Sequence, residues 1–249
     1  MSGSLTGRVA IVTGAARNIG RAIALELVAA GAAVVINAKS SAQEADDVVR
    51  AIATAGGNAM PHLADVGDPK AVARLIDATV SRFGRIDILV NNAAIRPQST
   101  FAALEWEEWR NVLATILDGA FLCARAALPH LLRSDLASIV NIGGMTGHTG
   151  AAGRAHVVAA KAGLAGLTRA LAHDLSPQGI TVNCVVPGLI ATKRDKFAIA
   201  PTDHAARTTL VGRQGTPEEI AHLVRFLCEP SARYITGQTI HANGGTFLG

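Results

Sequence analysis

Short runs of β-branched and apolar residues alternate with longer segments of helical period along the whole chain, and that alternation leaves few folds open. The runs are VAIVT (Val9 to Thr13), AAVVIN (Ala32 to Asn37), DILVNN (Asp87 to Asn92), ASIVNI (Ala137 to Ile142) and ITVNCVV (Ile180 to Val186). Runs that are apolar on both faces read as strands buried within a parallel sheet. Between them lie segments of helical period. Two are Ile19 to Ala30 and Pro69 to Arg82, and a third carries Val157, Lys161, Leu164, Thr168, Leu171 and Leu175 at spacings of three and four. The pattern predicts an α/β fold, a doubly wound parallel sheet with helices on both faces. With 49% hydrophobic and 17% charged residues, no repeat and no low-complexity linker, residues 1–249 read as a single domain. Ala191 to Thr216 lacks clear periodicity, which predicts a lid over a site at 191–216.

Charge and cysteine usage narrow the function classes. Lys and Arg number 23 against 19 Asp and Glu, with no run of like charges and 4% aromatic residues, so nucleic acid is not an expected partner. Cys123, Cys184 and Cys228 form no CxxC or Cys/His spacing; neither a disulfide framework nor a metal is expected, and reduced cysteines fit a cytoplasmic location. The N-terminus has no basic region followed by a long apolar run. No segment reaches about 18 uninterrupted apolar residues, so no membrane association is expected.

The segment VTGAARNIGRAIA, Val12 to Ala24, follows the first run and opens a helix. That context suits a glycine turn whose backbone N–H groups meet a pyrophosphate. The spacing of Thr13-Gly14, Asn18 and Gly20 resembles the T-G-x-x-x-G-x-G of the short-chain dehydrogenase/reductase family. Further matches arrive in that family's order: LADV around Asp65 and Val66, NNAA at Asn91 to Ala94, Lys161 in its helix, VPGLIAT from Val186 to Thr192, then GRQGTPEEIA and ITGQTIHANGG. The resemblance covers essentially the whole chain and is close in its motifs to 3-oxoacyl-carrier-protein reductases. It implies a Rossmann-like domain, with a nicotinamide dinucleotide held by Gly14, Arg17, Asn18, Ile19, Gly20, Lys39, Asp65, Val66, Asn92, Ala93, Lys161, Pro187, Gly188, Ile190 and Thr192. It also implies a homo-oligomer, a dimer or tetramer.

Two departures at this end have physical readings. Asn18 stands where the family keeps its middle glycine, and asparagine is the non-glycine residue that most readily adopts positive φ. After the second run the sequence is NAKSS, without the acidic residue that grips a ribose 2′-hydroxyl. Arg17 and Lys39 are placed instead to meet a 2′-phosphate, which favours NADP(H) over NAD(H).

The other end departs further. In the resembled family a tyrosine exchanges the proton at the substrate oxygen, a lysine tunes it and holds the ribose, a serine orients substrate and an asparagine anchors a water chain. Aligned on VNIGGMTG, the serine place falls on Gly144; on EEWRNVLATILDGAFL, the asparagine place falls on Ile116; on Lys161, the tyrosine place falls on Val157. A positioned general acid contributes about 10²- to 10⁴-fold in rate, and valine, glycine and isoleucine supply none.

Cationic and titratable residues surround the gap. MTGHTGAAGRAH brings His148, Arg154 and His156 close in sequence, and Arg96 follows NNAAI. Histidine exchanges protons near neutral pH, and His148 falls on the loop after the fifth strand, where α/β folds place ligand contacts. It is the preferred substitute acid. His156 joins Lys161 and His148 as a catalytic candidate, but next to Val157 in the helix it points away from the Val157/Lys161 face, so a surface or subunit-contact role is the expectation. Arg96, Arg154, Lys193 and Arg194 point to an anionic small-molecule substrate. Trp106 and Trp109 suit core packing or a subunit contact, and Cys184 an apolar filler. The expectation is an NADP-dependent oxidoreductase with a non-standard acid. The alternatives are an inactive nucleotide-binding or oligomer-partner protein, and a non-redox enzyme on the same scaffold.

Overall fold

In the computed structural model, which describes residues 3–192 and 209–248, seven parallel strands form one sheet in the order β3-β2-β1-β4-β5-β6-β7. The strands are β1 (Val9–Val12), β2 (Ala33–Ala38), β3 (Ala59–Leu63), β4 (Ile88–Asn91), β5 (Ala137–Ile142), β6 (Ile180–Pro187) and β7 (Thr239–Ala242). The Rossmann-like doubly wound class expected from the alternation is what the chain adopts.

The all-apolar runs are explained by two cores. Successive strand residues point to opposite faces, so Ala10 and Val12 enter one cluster and Ile11 the other. On the first face pack α1 (Asn18–Ala29), α2 (Ala42–Thr54) and α8 (Pro217–Cys228), through Ile23, Leu27, Val48, Ile52 and Val224. On the second pack α3 (Pro69–Phe83), α5 (Gly119–Leu131) and the C-terminal half of α7 (Ala155–Leu175), through Leu75, Cys123, Leu131 and Leu175. The edge strands β3 and β7 carry no continuous apolar run. They are only partly covered, and β3 contains Pro61 and His62.

The helix α4 (Trp106–Leu113) continues through a π-helical segment, Ala114–Asp118, into α5. The 26-residue run Trp106–Leu131 is long and apolar enough to cross a membrane by length and composition. Its residues Val112, Ile116, Cys123 and Leu131 are instead spent on the interior. Most of the expected lid, including Lys193 and Arg194, lies outside the described residues. Its C-terminal end is ordered by an N-cap at Thr216, whose hydroxyl accepts from Glu219 N–H while the Glu219 carboxylate accepts from Thr216 N–H.

Candidate active site

The glycine turn is pinned from behind. Thr13 Oγ1 accepts from the backbone N–H groups of Asn92 and Ala93 at 2.9 and 3.0 Å, and Asn92 Nδ2 donates to the carbonyls of Thr13 and Gly14 at 2.8 and 3.0 Å. Gly14 has φ +61° and Asn18 has φ +52°, the single positive φ among described non-glycine residues, so the asparagine takes the left-handed conformation expected of it. A Cβ on Gly20 would stand 2.4 Å from Gly14 O and 2.5 Å from Asn92 Nδ2, so this position admits only glycine. The first turn of α1, which includes Ile19, has neither a side-chain cap nor an acidic residue. That leaves the helix start suited to an anion.

Lys39 and Asp65 stand at the carboxyl ends of β2 and β3 and form an ion pair at 2.7 Å. Burial pushes the Asp65 carboxyl up, but hydrogen bonds from Lys39 and from Gly67 N–H hold it below the usual carboxylate range. Val66 is buried against Gly119 of α5. Across the sheet, Pro187 closes β6, and Gly188 donates to Ala242 O with no room for a Cβ beside Asn243. Ile190 bridges to Gly215, and Thr192 is half-buried.

Lys161 lies on α7 beneath the end of β5. It is 5% exposed and its Nζ donates to Ile142 O at 2.5 Å. Burial, then the positive charge of Arg96, lower its pKa to about 8 against a small opposing effect of Cys184. Gly144 faces the lysine stem: the nearest atoms to a Cβ there would be Lys161 Cγ, Cδ and Cε, at 3.5 to 3.8 Å. Val157 and Ile116, remote in sequence, share one buried apolar cluster with Val112, Ala120, Ala160 and Leu164.

The histidines are placed differently from the sequence expectation. His148 belongs not to a loop but to the short helix α6 (Thr146–Thr149), which packs on α7 at Gly147. Its exposed ring meets His241 of β7 edge-on at 4.7 Å between centroids, with Phe247 beside both. Burial and the His148 charge lower the His241 pKa. His156 is not at the surface: it is 0% exposed, and Nε2 lies 2.9 Å from Glu108 Oε1. The correction has a plain cause. α4 packs against the start of α7, and its Glu108 supplies the ring with a polar partner.

Glu108 also accepts from Ser99 Oγ, and Ser99 N–H donates to Gly153 O. These bonds draw the loop bearing Arg96 onto the turn before Arg154, so the two arginines border the same end of α7. Trp106 is 72% exposed rather than core, Trp109 is half-buried, and Cys184 is buried with a thiol pushed up by burial. Glu108, Ser99, His241 and Phe247 were not singled out by sequence. The one available signal was the position of His241 inside the ITGQTIHANGG match. Among the described residues no group of three or more His, Cys, Asp or Glu is arranged to hold a metal.

This architecture defines a Rossmann-like α/β protein, and comparison with known proteins makes the class specific. A family model described as Enoyl-(Acyl carrier protein) reductase matches residues 14–246. The chain is 42% identical over 246 residues to a 3-oxoacyl-(acyl-carrier-protein) reductase of Synechocystis sp., covering 98% of this chain and 99% of that protein. A dehydrogenase/reductase from Sinorhizobium meliloti 1021 superposes with a TM-score of 0.93 at 37% identity, covering 99% of this chain and 98% of that one. A short chain dehydrogenase from Burkholderia cenocepacia J2315, solved in complex with NADP, gives 0.92 at 36% identity, covering 98% and 99%. The chain belongs to the short-chain dehydrogenase/reductase family.

Proposed function

We propose that this protein is an NADP-dependent oxidoreductase acting on a small anionic carbonyl or alcohol compound, with a proton donor other than tyrosine. The observation that carries the reading is the turn from Thr13 to Gly20, whose Gly14 φ, Asn18 φ and excluded Cβ at Gly20 fit a close backbone approach to a pyrophosphate. NADP bound in its relative and the reductase name of its 42% identical relative support it. When bound, the nicotinamide supplies or accepts a hydride. Gly14, Asn18, Ile19 and Gly20 would hold the pyrophosphate, Arg17 and Lys39 the 2′-phosphate, Asp65 and Val66 the adenine end, and Asn92, Ala93 and Lys161 the middle. Pro187, Gly188, Ile190 and Thr192 would border the nicotinamide.

For the chain's own chemistry, His148 gives or takes the proton at the substrate oxygen and His241 exchanges it onward, while Arg96 and Arg154 attract the anionic group. His156, closed off against Glu108, serves as a positioning residue for the Arg96 loop rather than as an acid. Gly144, Val157 and Ile116 occupy the places of the family's serine, tyrosine and asparagine. We place the protein in the cytoplasm as a homodimer or homotetramer, its exposed Phe101, Trp106 and Phe121 giving an apolar surface for a second copy. A second reading, a nucleotide-binding member without turnover, is favoured by the closed apolar cluster around Val157 and Ile116.

Fluorescence titration tests the reading. NADPH is expected to bind more tightly than NADH, and replacing Arg17 and Lys39 together is expected to weaken NADPH by about ten- to a hundredfold, from charge-assisted bonds of about 1.5–3 kcal/mol. Equal affinities would remove the NADP preference, and no binding of either would put the non-redox reading ahead. His148→Ala is expected to lower kcat/KM for a carbonyl substrate by about 10²- to 10⁴-fold with nucleotide affinity unchanged. Unaltered turnover would discard His148 as the acid.

A further inference from the structure

We infer that the ε-amine of Lys161 is itself a covalent capture site, forming an imine with anionic carbonyl compounds when no nucleotide occupies the site. The inference rests on the proposed function for its substrate class and for the nucleotide that would shield the amine, and it assigns the lysine a chemistry that ribose binding does not require.

Four observations converge. Lys161 is buried, yet its Nζ is held by one neutral acceptor, Ile142 O, and among the described residues no carboxylate pairs with it. An ammonium in such a place loses hydration without gaining an opposite charge. Arg96 adds a like charge that further disfavours protonation and would attract the anionic group of an incoming compound. Gly144 sets no side chain against the lysine stem: the nearest atoms to a Cβ built there are Lys161 Cγ, Cδ and Cε, at 3.5 to 3.8 Å. Finally, Val157, one turn earlier on the same face of α7, belongs to an apolar cluster and brings no hydroxyl to occupy the amine. A neutral, desolvated amine beside a glycine and a cation is a setting in which lysine acts as a nucleophile toward carbonyls.

The step balances without an oxidant or reductant. The amine lone pair adds to the carbonyl carbon as the C=O π pair moves to oxygen, giving a carbinolamine after proton transfer from nitrogen to oxygen. The C–O bond then breaks and oxygen leaves as water with the remaining nitrogen proton, so that R₂C=O and H₂N–Lys become R₂C=N–Lys and H₂O. Hydrolysis reverses it.

Pyridoxal 5′-phosphate, an aldehyde bearing a phosphate, is a suitable probe, with borohydride reduction and peptide mapping of the full chain. At pH 8 about half of an amine whose pKa is about 8 is neutral, against a few thousandths of an ordinary lysine. Lys161 is therefore expected to carry at least about tenfold more adduct than Lys39 or Lys70, with labelling that rises as the pH passes upward through 8. NADPH is expected to suppress the adduct at Lys161, and Lys161→Arg to abolish it. The map of the unaltered protein decides the matter even if that variant fails to fold. Adducts on Lys39 and Lys70 with Lys161 unlabelled, or labelling of Lys161 indifferent to pH, would overturn the inference. Nucleotide titration reports on the oxidoreductase reading separately, so loss of one leaves the other standing.

Discussion

Replacing Gly20 by alanine is expected to abolish measurable nucleotide binding and to lower Tm. The new methyl would stand 2.4 Å from Gly14 O and 2.5 Å from Asn92 Nδ2, inside any van der Waals contact. Neither neighbour yields cheaply, because Asn92 Nδ2 already bridges the carbonyls of Thr13 and Gly14, while the Asn92 N–H is held by Thr13 Oγ1. Overpacking of this kind costs about 1–3 kcal/mol, or about 2–12 °C in a chain of this size. The methyl is accommodated only by moving the turn, and moving the turn spoils the backbone approach to a phosphate. Thermal melts and NADPH titration of the variant check both halves. Binding within threefold of the unaltered protein would mean that this turn is not the nucleotide cradle.

The second large effect concerns restoration of the family's polar residues. Gly144→Ser alone is expected to leave Tm nearly unchanged, since the nearest atoms to its Cβ would be those of the Lys161 stem, at ordinary contact distances. Adding Val157→Tyr and Ile116→Asn is expected to cost far more. Both side chains are buried in one cluster, where a phenol ring overpacks by about 1–3 kcal/mol and an unpartnered amide costs about 1–3 kcal/mol. Together these remove a large part of a stability of about 5–15 kcal/mol, so Tm is expected to fall by about 5–20 °C. A triple variant that melts like the unaltered protein and reduces a 3-oxo ester with NADPH would show instead that the pocket was preserved around the three replacements.

The cluster also explains why the replacements at 157 and 116 occur together. A tyrosine hydroxyl at 157 would need polar company, and an asparagine at 116 would need partners for its amide. With both positions apolar, the helices α4 and α7 close on each other there without burying a phenol or an amide. Lys161 is left as the titratable group at that wall, and its lowered pKa follows from the closure and from Arg96 rather than from a phenol.

Much of the fold followed from local rules. Ile11 between Ala10 and Val12 signals a strand with two covered faces, and those residues do divide between two cores. The positive φ of Asn18 follows from its standing at the family's middle glycine together with asparagine's backbone preference. The edge strands carried weaker signals, since β3 and β7 are partly solvated and need no continuous apolar run. His156 was misjudged because helical spacing shows which way a side chain points but not what lies there; α4 covers that face and Glu108 meets the ring.

By itself, then, the sequence determined the fold class with five of its strands, the glycine turn and the family, because periodicity, turn stereochemistry and motif spacing are legible along the chain. Only the tertiary structure decided that Val157 and Ile116 merge into one apolar wall, that His148 meets His241 and Phe247, and that Ser99, Glu108 and His156 tie the Arg96 loop to α7. Those pairings join residues far apart in the chain. They arise from how α4 packs on α7 and how β7 lies beside β6, and no local period encodes them.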